Sequence, residues 1–159
     1  TKIEEEHAKT VFISPMSGDL VKLDSIDDPA FSSGSIGKGI AINPNNGKVV
    51  APVDGTIKTI FPTKHAIGIE SEDGIECLIH IGMDTVNLQG KYFNVIVKEG
   101  QQVKQGELIA EVDLASILKE GYSLITPVIV TNADQYLDVL PFETQGIIVS
   151  SEPLLTVLK

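Results

Sequence analysis

Ser14-Pro15-Met16-Ser17-Gly18-Asp19-Leu20 and Ala51-Pro52-Val53-Asp54-Gly55-Thr56-Ile57 follow one pattern: small, Pro, apolar, polar, Gly, polar, apolar. A proline excludes each stretch from a helix interior, and a glycine lets the chain turn before it runs on as a strand. Outward from the two copies, Pro or Gly recurs at Pro29, Gly34, Gly37, Gly39, Pro44, Gly47, Pro62, Gly68 and Gly74. Between them lie short β-branched runs at Val11–Ile13, Gly39–Ile42, Lys48–Val50, Thr56–Ile60, Ala66–Ile69 and Ile75–Ile79. Many short strands divided by turn residues predict an all-β, antiparallel sandwich or barrel–sandwich hybrid. Asn45-Asn46-Gly47 and Glu72-Asp73-Gly74 are expected to be hairpin-type turns, because Asn, Asp and Gly tolerate positive φ. Gly37-Lys38-Gly39 is expected to be a turn as well. A third element, Glu99 to Ile109, places two glycines around Val103. One or two short helices complete the expectation. The clearest spans Leu114 to Glu120, capped by Asp113 and ended by Gly121.

Such a layout resembles the barrel–sandwich hybrids of biotinyl and lipoyl domains. Those carry a modified lysine in a Met-Lys-Met-type hairpin, and this chain has no such tripeptide. A swinging-arm carrier is therefore excluded.

The chain has 159 residues, 42% hydrophobic and 21% charged, which suits one globular domain. The first ten residues, with Glu4-Glu5-Glu6, are expected to be a solvated lead-in, and residues 11–159 the domain. Thr1 stands where a complete chain would have Met, as in a trimmed chain or an excised domain. No signal peptide and no apolar run of membrane-spanning length is visible, so no membrane insertion is expected. A single cysteine allows no internal disulfide and points to a reducing, cytoplasmic setting. Against 12 Lys and Arg stand 22 Asp and Glu, a net charge of −10. That balance, with 5% aromatics and no Trp, argues against a nucleic-acid partner.

Little in the sequence can carry chemistry. Cys77 sits in the apolar run Ile75-Glu76-Cys77-Leu78-Ile79 and reads as a buried strand residue. There is no Gly-x-Ser-x-Gly elbow and no phosphate-binding P-loop. His7 lies in the lead-in. His65 and His80 each adjoin a strand-like apolar run, fifteen positions apart, with the Glu72–Gly74 turn between them. That is the length at which two antiparallel strands bring their far ends together, so the two rings are expected to touch. Three jobs suit a touching pair: an incomplete metal site, general acid–base catalysis, or phosphoryl transfer through a phosphohistidine.

Further residues narrow the choice. Val49 to Ile57, Phe61-Pro62-Thr63-Lys64-His65-Ala66-Ile67-Gly68-Ile69 and Leu78-Ile79-His80-Ile81-Gly82-Met83-Asp84-Thr85-Val86-Asn87-Leu88 resemble the glucose-type enzyme IIA domain of the bacterial phosphoenolpyruvate-dependent sugar phosphotransferase system. The resemblance runs from about Val11 to the end of the chain.

The resemblance implies a phosphotransferase component with a phosphohistidine intermediate, needing no metal or cofactor. His80 is implied as the phospho-acceptor through Nε2. His65 is implied as the neighbour that stabilises the phosphoryl group, and Thr63 as the hydroxyl that orients His65. A nucleophilic imidazole must hold its proton on the other nitrogen, and the Gly82 carbonyl is placed to fix the Nδ1–H tautomer. The two Nε2 atoms are expected to face each other across a shallow, solvent-reachable depression. Phe31, Ile36, Phe61, Leu78, Met83 and Val86 are expected to form an apolar collar for partner proteins, with Asp84 on its rim. The implied partners are the phosphocarrier HPr as donor and a IIB domain as acceptor, with a IIC domain or transporter in the same or another chain. The alternative is a regulatory IIA domain that controls a transporter by its phosphorylation state. Either would work in the cytoplasm, free-standing or as the cytoplasmic domain of a membrane protein.

Overall fold

A computed structural model describes residues 9–159. Its strands are β1 (Lys9–Ile13), β2 (Gly18–Val21), β3 (Lys38–Pro44), β4 (Lys48–Val50), β5 (Gly55–Ile60), β6 (Ala66–Ser71) and β7 (Glu76–His80). They continue as β8 (Phe93–Val95), β9 (Gln102–Val103), β10 (Leu108–Val112), β11 (Thr126–Val130), β12 (Asp138–Pro141), β13 (Ile147–Ile148) and β14 (Pro153–Leu158). Two short helices, α1 (Pro29–Ser32) and α2 (Leu114–Lys119), interrupt them. The fold is antiparallel β, as the turn density predicts.

The strand order shows why the two Pro-x-x-Gly copies matter. One sheet runs β1-β14-β12 and a second β4-β10-β8; the third runs β13-β2-β3-β11-β7-β6-β5-β9. The eight-stranded sheet reads as two like halves joined at β11 and β7. Where the two copies meet, they bond reciprocally: Ile13 N–H donates to Pro52 O and Val50 N–H to Pro15 O, both at 2.9 Å. Each donor lies two residues before its own copy's proline. Gly18 and Gly55 open β2 and β5, and each lies against a neighbouring strand. A Cβ on either would come to 2.1 Å from a backbone oxygen of β3 or β6.

The main core lies between the sheets, with Phe12, Met16, Ile40, Ile57, Ile69, Ile79, Val128 and Leu155 closely covered. Alternation sends the other side chains of β3 and β11 outward. There Ala41 and Ile129 join Ile26 and Phe31 in a second apolar cluster beneath α1. The centre of the large sheet is thus covered on both faces, and β11 is buried along its whole length.

Four local expectations need correction or extension. The lead-in ends earlier than residue 10: Lys9 and Thr10 already pair with Leu158 and Val157. Residues 1–8, His7 among them, lie outside the described residues. Asn45-Asn46-Gly47 is not a hairpin. It carries the chain around a corner from the large sheet into the β4-β10-β8 sheet, where Gly47 O accepts from Val112 N–H at 2.8 Å. Lys38 and Gly39 are strand rather than turn; Gly39 is required because a Cβ there would come to 2.0 Å from Val128 O. Finally, α1 is marked in the sequence by Asp28-Pro29: the Asp28 carboxylate accepts from Ala30 N–H at 3.0 Å and the proline takes the first turn. Helix α2 starts where expected, Asp113 accepting from Ser116 N–H at 3.1 Å.

Candidate functional site

The β6–β7 hairpin builds the site. Gly74 takes φ +90° in the connecting turn and donates to Ser71 O at 3.0 Å. The Asn132 side chain clamps the same turn, donating to Gly74 O and accepting from Glu76 N–H, each at 3.0 Å. The resulting register sets Ala66 opposite His80, and the Ile81 amide donates to His65 O at 2.7 Å. The two imidazoles therefore meet at the far end of the hairpin. Their ring centres are 4.9 Å apart and their planes nearly perpendicular, at 86°.

Each ring is held through Nδ1. His80 Nδ1 lies 2.9 Å from the Gly82 carbonyl oxygen, which only accepts, so Nδ1 carries the proton and Nε2 a lone pair. His65 Nδ1 lies 2.8 Å from Thr63 Oγ1. A hydroxyl both donates and accepts, so Thr63 can serve either tautomer of His65. The loop that presents His65 is tight: Lys64 N–H donates to Phe61 O at 2.7 Å, and Lys64 sits in the left-handed region at φ 60°.

Burial sets the protonation. The His65 pKa is lowered to about 4, first because burial disfavours the imidazolium and second by the neighbouring His80. Burial lowers the His80 pKa as well. The Gly82 carbonyl and the Asp28 and Asp84 charges oppose that shift. Both rings are thus neutral at pH 7. Cys77 is buried and its thiol is pushed up to about 12, which leaves it unreactive.

The two rings are not equally reachable from solvent. His80 is part-exposed, whereas only 3% of His65 is accessible. The Phe61 ring stands edge-on to His65 at 5.5 Å and helps to cover it. Phe31 likewise packs edge-on to His80 at 4.9 Å. Since Phe31 is itself buried, it supports His80 from beneath and offers little surface to a partner. Ile36, Leu78 and Met83 are part-buried around it. Phe61 and Val86 are exposed, and so is Asp84, whose side chain caps no turn. Asp28, beside α1, is the charged neighbour of His80 that sequence reasoning missed. The Asp-Pro pair that starts α1 was the available signal.

Among the described residues, no group of three or more His, Cys, Asp and Glu side chains is placed to hold a metal. A neutral, oriented histidine pair with a free lone pair suits nucleophilic or proton-transfer chemistry.

Residues 10–136 match the family described as phosphoenolpyruvate-dependent sugar phosphotransferase system, EIIA 1. The chain belongs to this family. It is 39% identical over 158 residues to the glucose-specific EIIA component of Oceanobacillus iheyensis, covering 99% of this chain and 96% of that protein. It is 50% identical over 131 residues to the beta-glucoside-specific EIIBCA component of Bacillus subtilis, covering 82% of this chain. The chain spans only 22% of that protein's length, and 21% of the Dickeya chrysanthemi beta-glucoside relative. The solved structure of glucose permease IIA from Mycoplasma capricolum superimposes with a TM-score of 0.83. It is 35% identical, with 93% of this chain and 95% of that one covered. The match identifies the chain as an EIIA domain of this phosphotransferase-system family. No helix among the described residues is long and apolar enough to cross a membrane.

Proposed function

We propose that the chain is a phosphocarrier in which His80 accepts a phosphoryl group from phospho-HPr and passes it to a IIB domain during sugar uptake. The observation that carries this reading is the paired Nδ1 hold: Gly82 O on His80 and Thr63 Oγ1 on His65, with the rings 4.9 Å apart. The His80 Nε2 lone pair forms the new N–P bond as the donor histidine's N–P bond breaks. The donor imidazole keeps the electron pair of the broken bond. His80 retains its Nδ1 proton, and the Gly82 carbonyl stabilises the positive charge the phosphorylated ring gains. In the onward step the His80 N–P bond breaks, its electron pair returns to Nε2, and a nucleophile of the IIB domain supplies the pair for the new bond to phosphorus.

His65 supports the phosphoryl group. With its proton on Nε2, and Thr63 donating to Nδ1, it donates one hydrogen bond to a phosphoryl oxygen. Transfer of this kind depends on positioning and charge stabilisation more than on covalent assistance. Phe61, Leu78, Met83 and Val86 form the apolar surface that a partner covers, with Asp84 at its edge. Docking there excludes water from the transferring group.

The EIIBCA and EIICBA relatives carry B and C components in one chain with the A component, which favours feeding a sugar-phosphorylating pathway over a purely regulatory role. The setting we propose is the cytoplasm, or the cytoplasmic side of a membrane transporter. The test is to incubate the chain with phosphoenolpyruvate, enzyme I and HPr, then add a IIB domain. The reading expects label on this chain first and on IIB second. A chain that is never labelled, or that keeps its label when IIB is added, contradicts it.

A further inference from the structure

Gly82 owes its aim to residues outside the histidine hairpin. The peptide unit joining Ile81 to Gly82 is held at both ends. Its carbonyl accepts from Thr85 Oγ1 at 2.5 Å, and its N–H points to Thr126 Oγ1 at 3.4 Å. The next unit, from Gly82 to Met83, is also held at both ends. Its carbonyl takes the His80 Nδ1 proton, and its N–H donates to Ser123 O at 3.1 Å. Two successive peptide planes are therefore fixed in the orientation that His80 reads.

Thr126 acts on both planes. It is wholly buried at the start of β11, where the register that pairs Val128 with Ile79 carries it opposite Ile81. Its hydroxyl accepts from Gly82 N–H on the first plane and donates to Leu124 O at 2.8 Å. That second bond anchors the Ser123–Leu124 segment whose Ser123 carbonyl holds the other plane. Gly82 takes φ +79°, and without a Cβ it has little intrinsic preference for that conformation over others, so external restraint is needed.

We infer that Thr126 is a positioning residue for phosphoryl transfer: through Gly82 it fixes the Nδ1–H tautomer that leaves the His80 Nε2 lone pair free. The inference rests on the reading of His80 as acceptor. It touches neither the phosphoryl group nor a partner, so its action is on the tautomer alone.

The test uses the 159-residue chain with Thr126→Val, which keeps the shape and loses the hydroxyl, and Thr126→Ser, which keeps the hydroxyl and loses the methyl. Imidazole ¹⁵N shifts report the His80 tautomer. Phosphoramidate, a small-molecule phosphoryl donor, reports nucleophilicity without partner docking. In Thr126→Val the His80 ¹⁵N shifts should move from the Nδ1–H pattern toward a mixture. Its phosphorylation rate should fall about tenfold, the scale of one lost buried hydrogen bond. Thr126→Ser should restore both. Normal tautomer and rate in a folded Thr126→Val chain overturn the inference. Should Thr126→Val not fold, Thr126→Ala is read in the same way. Failure of both to fold, with Thr126→Ser folded, also overturns it, because the hydroxyl then serves global stability. If the unmodified chain accepts no phosphate on His80, the acceptor reading itself has failed, which is a separate result.

Discussion

The backbone oxygen of His65 accepts the amide hydrogen of Ile81 at 2.7 Å. That bond extends the β6–β7 ladder one step past Ala66 and His80, and it binds each histidine's segment to the other's. The distance between the two rings is therefore a property of the sheet register and not of loose side chains. A one-residue slip would send the His80 ring to the opposite face.

Replacing His65 should separate acceptance from donation. His65→Gln leaves the Gly82 bond to His80 intact, so labelling from phospho-HPr should persist. Onward transfer to IIB should fall by about 10- to 100-fold, since a lost transition-state hydrogen bond to a charged group costs roughly 1.5–3 kcal/mol. Rapid-quench transfer assays check this. Equal loss in both steps would place His65 in the acceptance step as well.

Acid should destabilise the fold in a window set by His65. Its pKa falls from 6.5 unfolded to about 4 folded. The unfolded chain therefore binds more protons between those values, and stability drops as pH falls from 6.5 to 4. The loss is on the order of 3 kcal/mol at most. His80, also lowered by burial, adds in the same direction. Urea unfolding at pH 7, 5.5 and 4 should show the slope, and His65→Gln should flatten it. Asp73 adds a later window. Burial raises its carboxyl, but bonds from Lys159, Ser71 and Thr10 hold it down to about 2. Its contribution is lost only as pH falls from 3.8 toward 2.

Gly82→Ala should be costly despite its small size. An alanine Cβ would come to 2.5 Å from Thr85 Cγ2 and 2.9 Å from Ser123 O, and the backbone sits at φ +79°. A loss of about 1–3 kcal/mol in unfolding free energy is expected, together with slower phosphorylation. A variant as stable and as active as the parent would mean that this backbone can move freely.

Val86 tests the partner surface without touching the core. It is 47% exposed, so Val86→Asp should change stability by no more than about 0.5 kcal/mol. Transfer from phospho-HPr should weaken through KM, while phosphorylation by phosphoramidate stays unchanged. Equal loss with both donors would move the effect from docking to the histidines.

The residues explain what the sequence revealed and what it hid. The two Pro-x-x-Gly copies announced the strands because Pro and Gly act locally, and His65 and His80 announced their meeting because one hairpin of fixed length joins them. Asn45-Asn46-Gly47 misled because the same residues suit a hairpin and a corner; only the partner of β4, distant β10, decides between them. Gly37 to Gly39 read as a turn because the close approach of β11 has no local trace. The burial of His65 depended on Phe61 folding over it, and the Ser123 and Thr126 contacts join segments some forty residues apart.

The most direct test of the central claim is to phosphorylate the chain with phosphoenolpyruvate, enzyme I and HPr and locate the phosphate by heteronuclear NMR. The prediction is a single phosphohistidine at His80, bonded through Nε2 with Nδ1 still protonated, and no labelling of His80→Gln. Phosphate on His65, attachment through His80 Nδ1, or undiminished labelling of His80→Gln would contradict it.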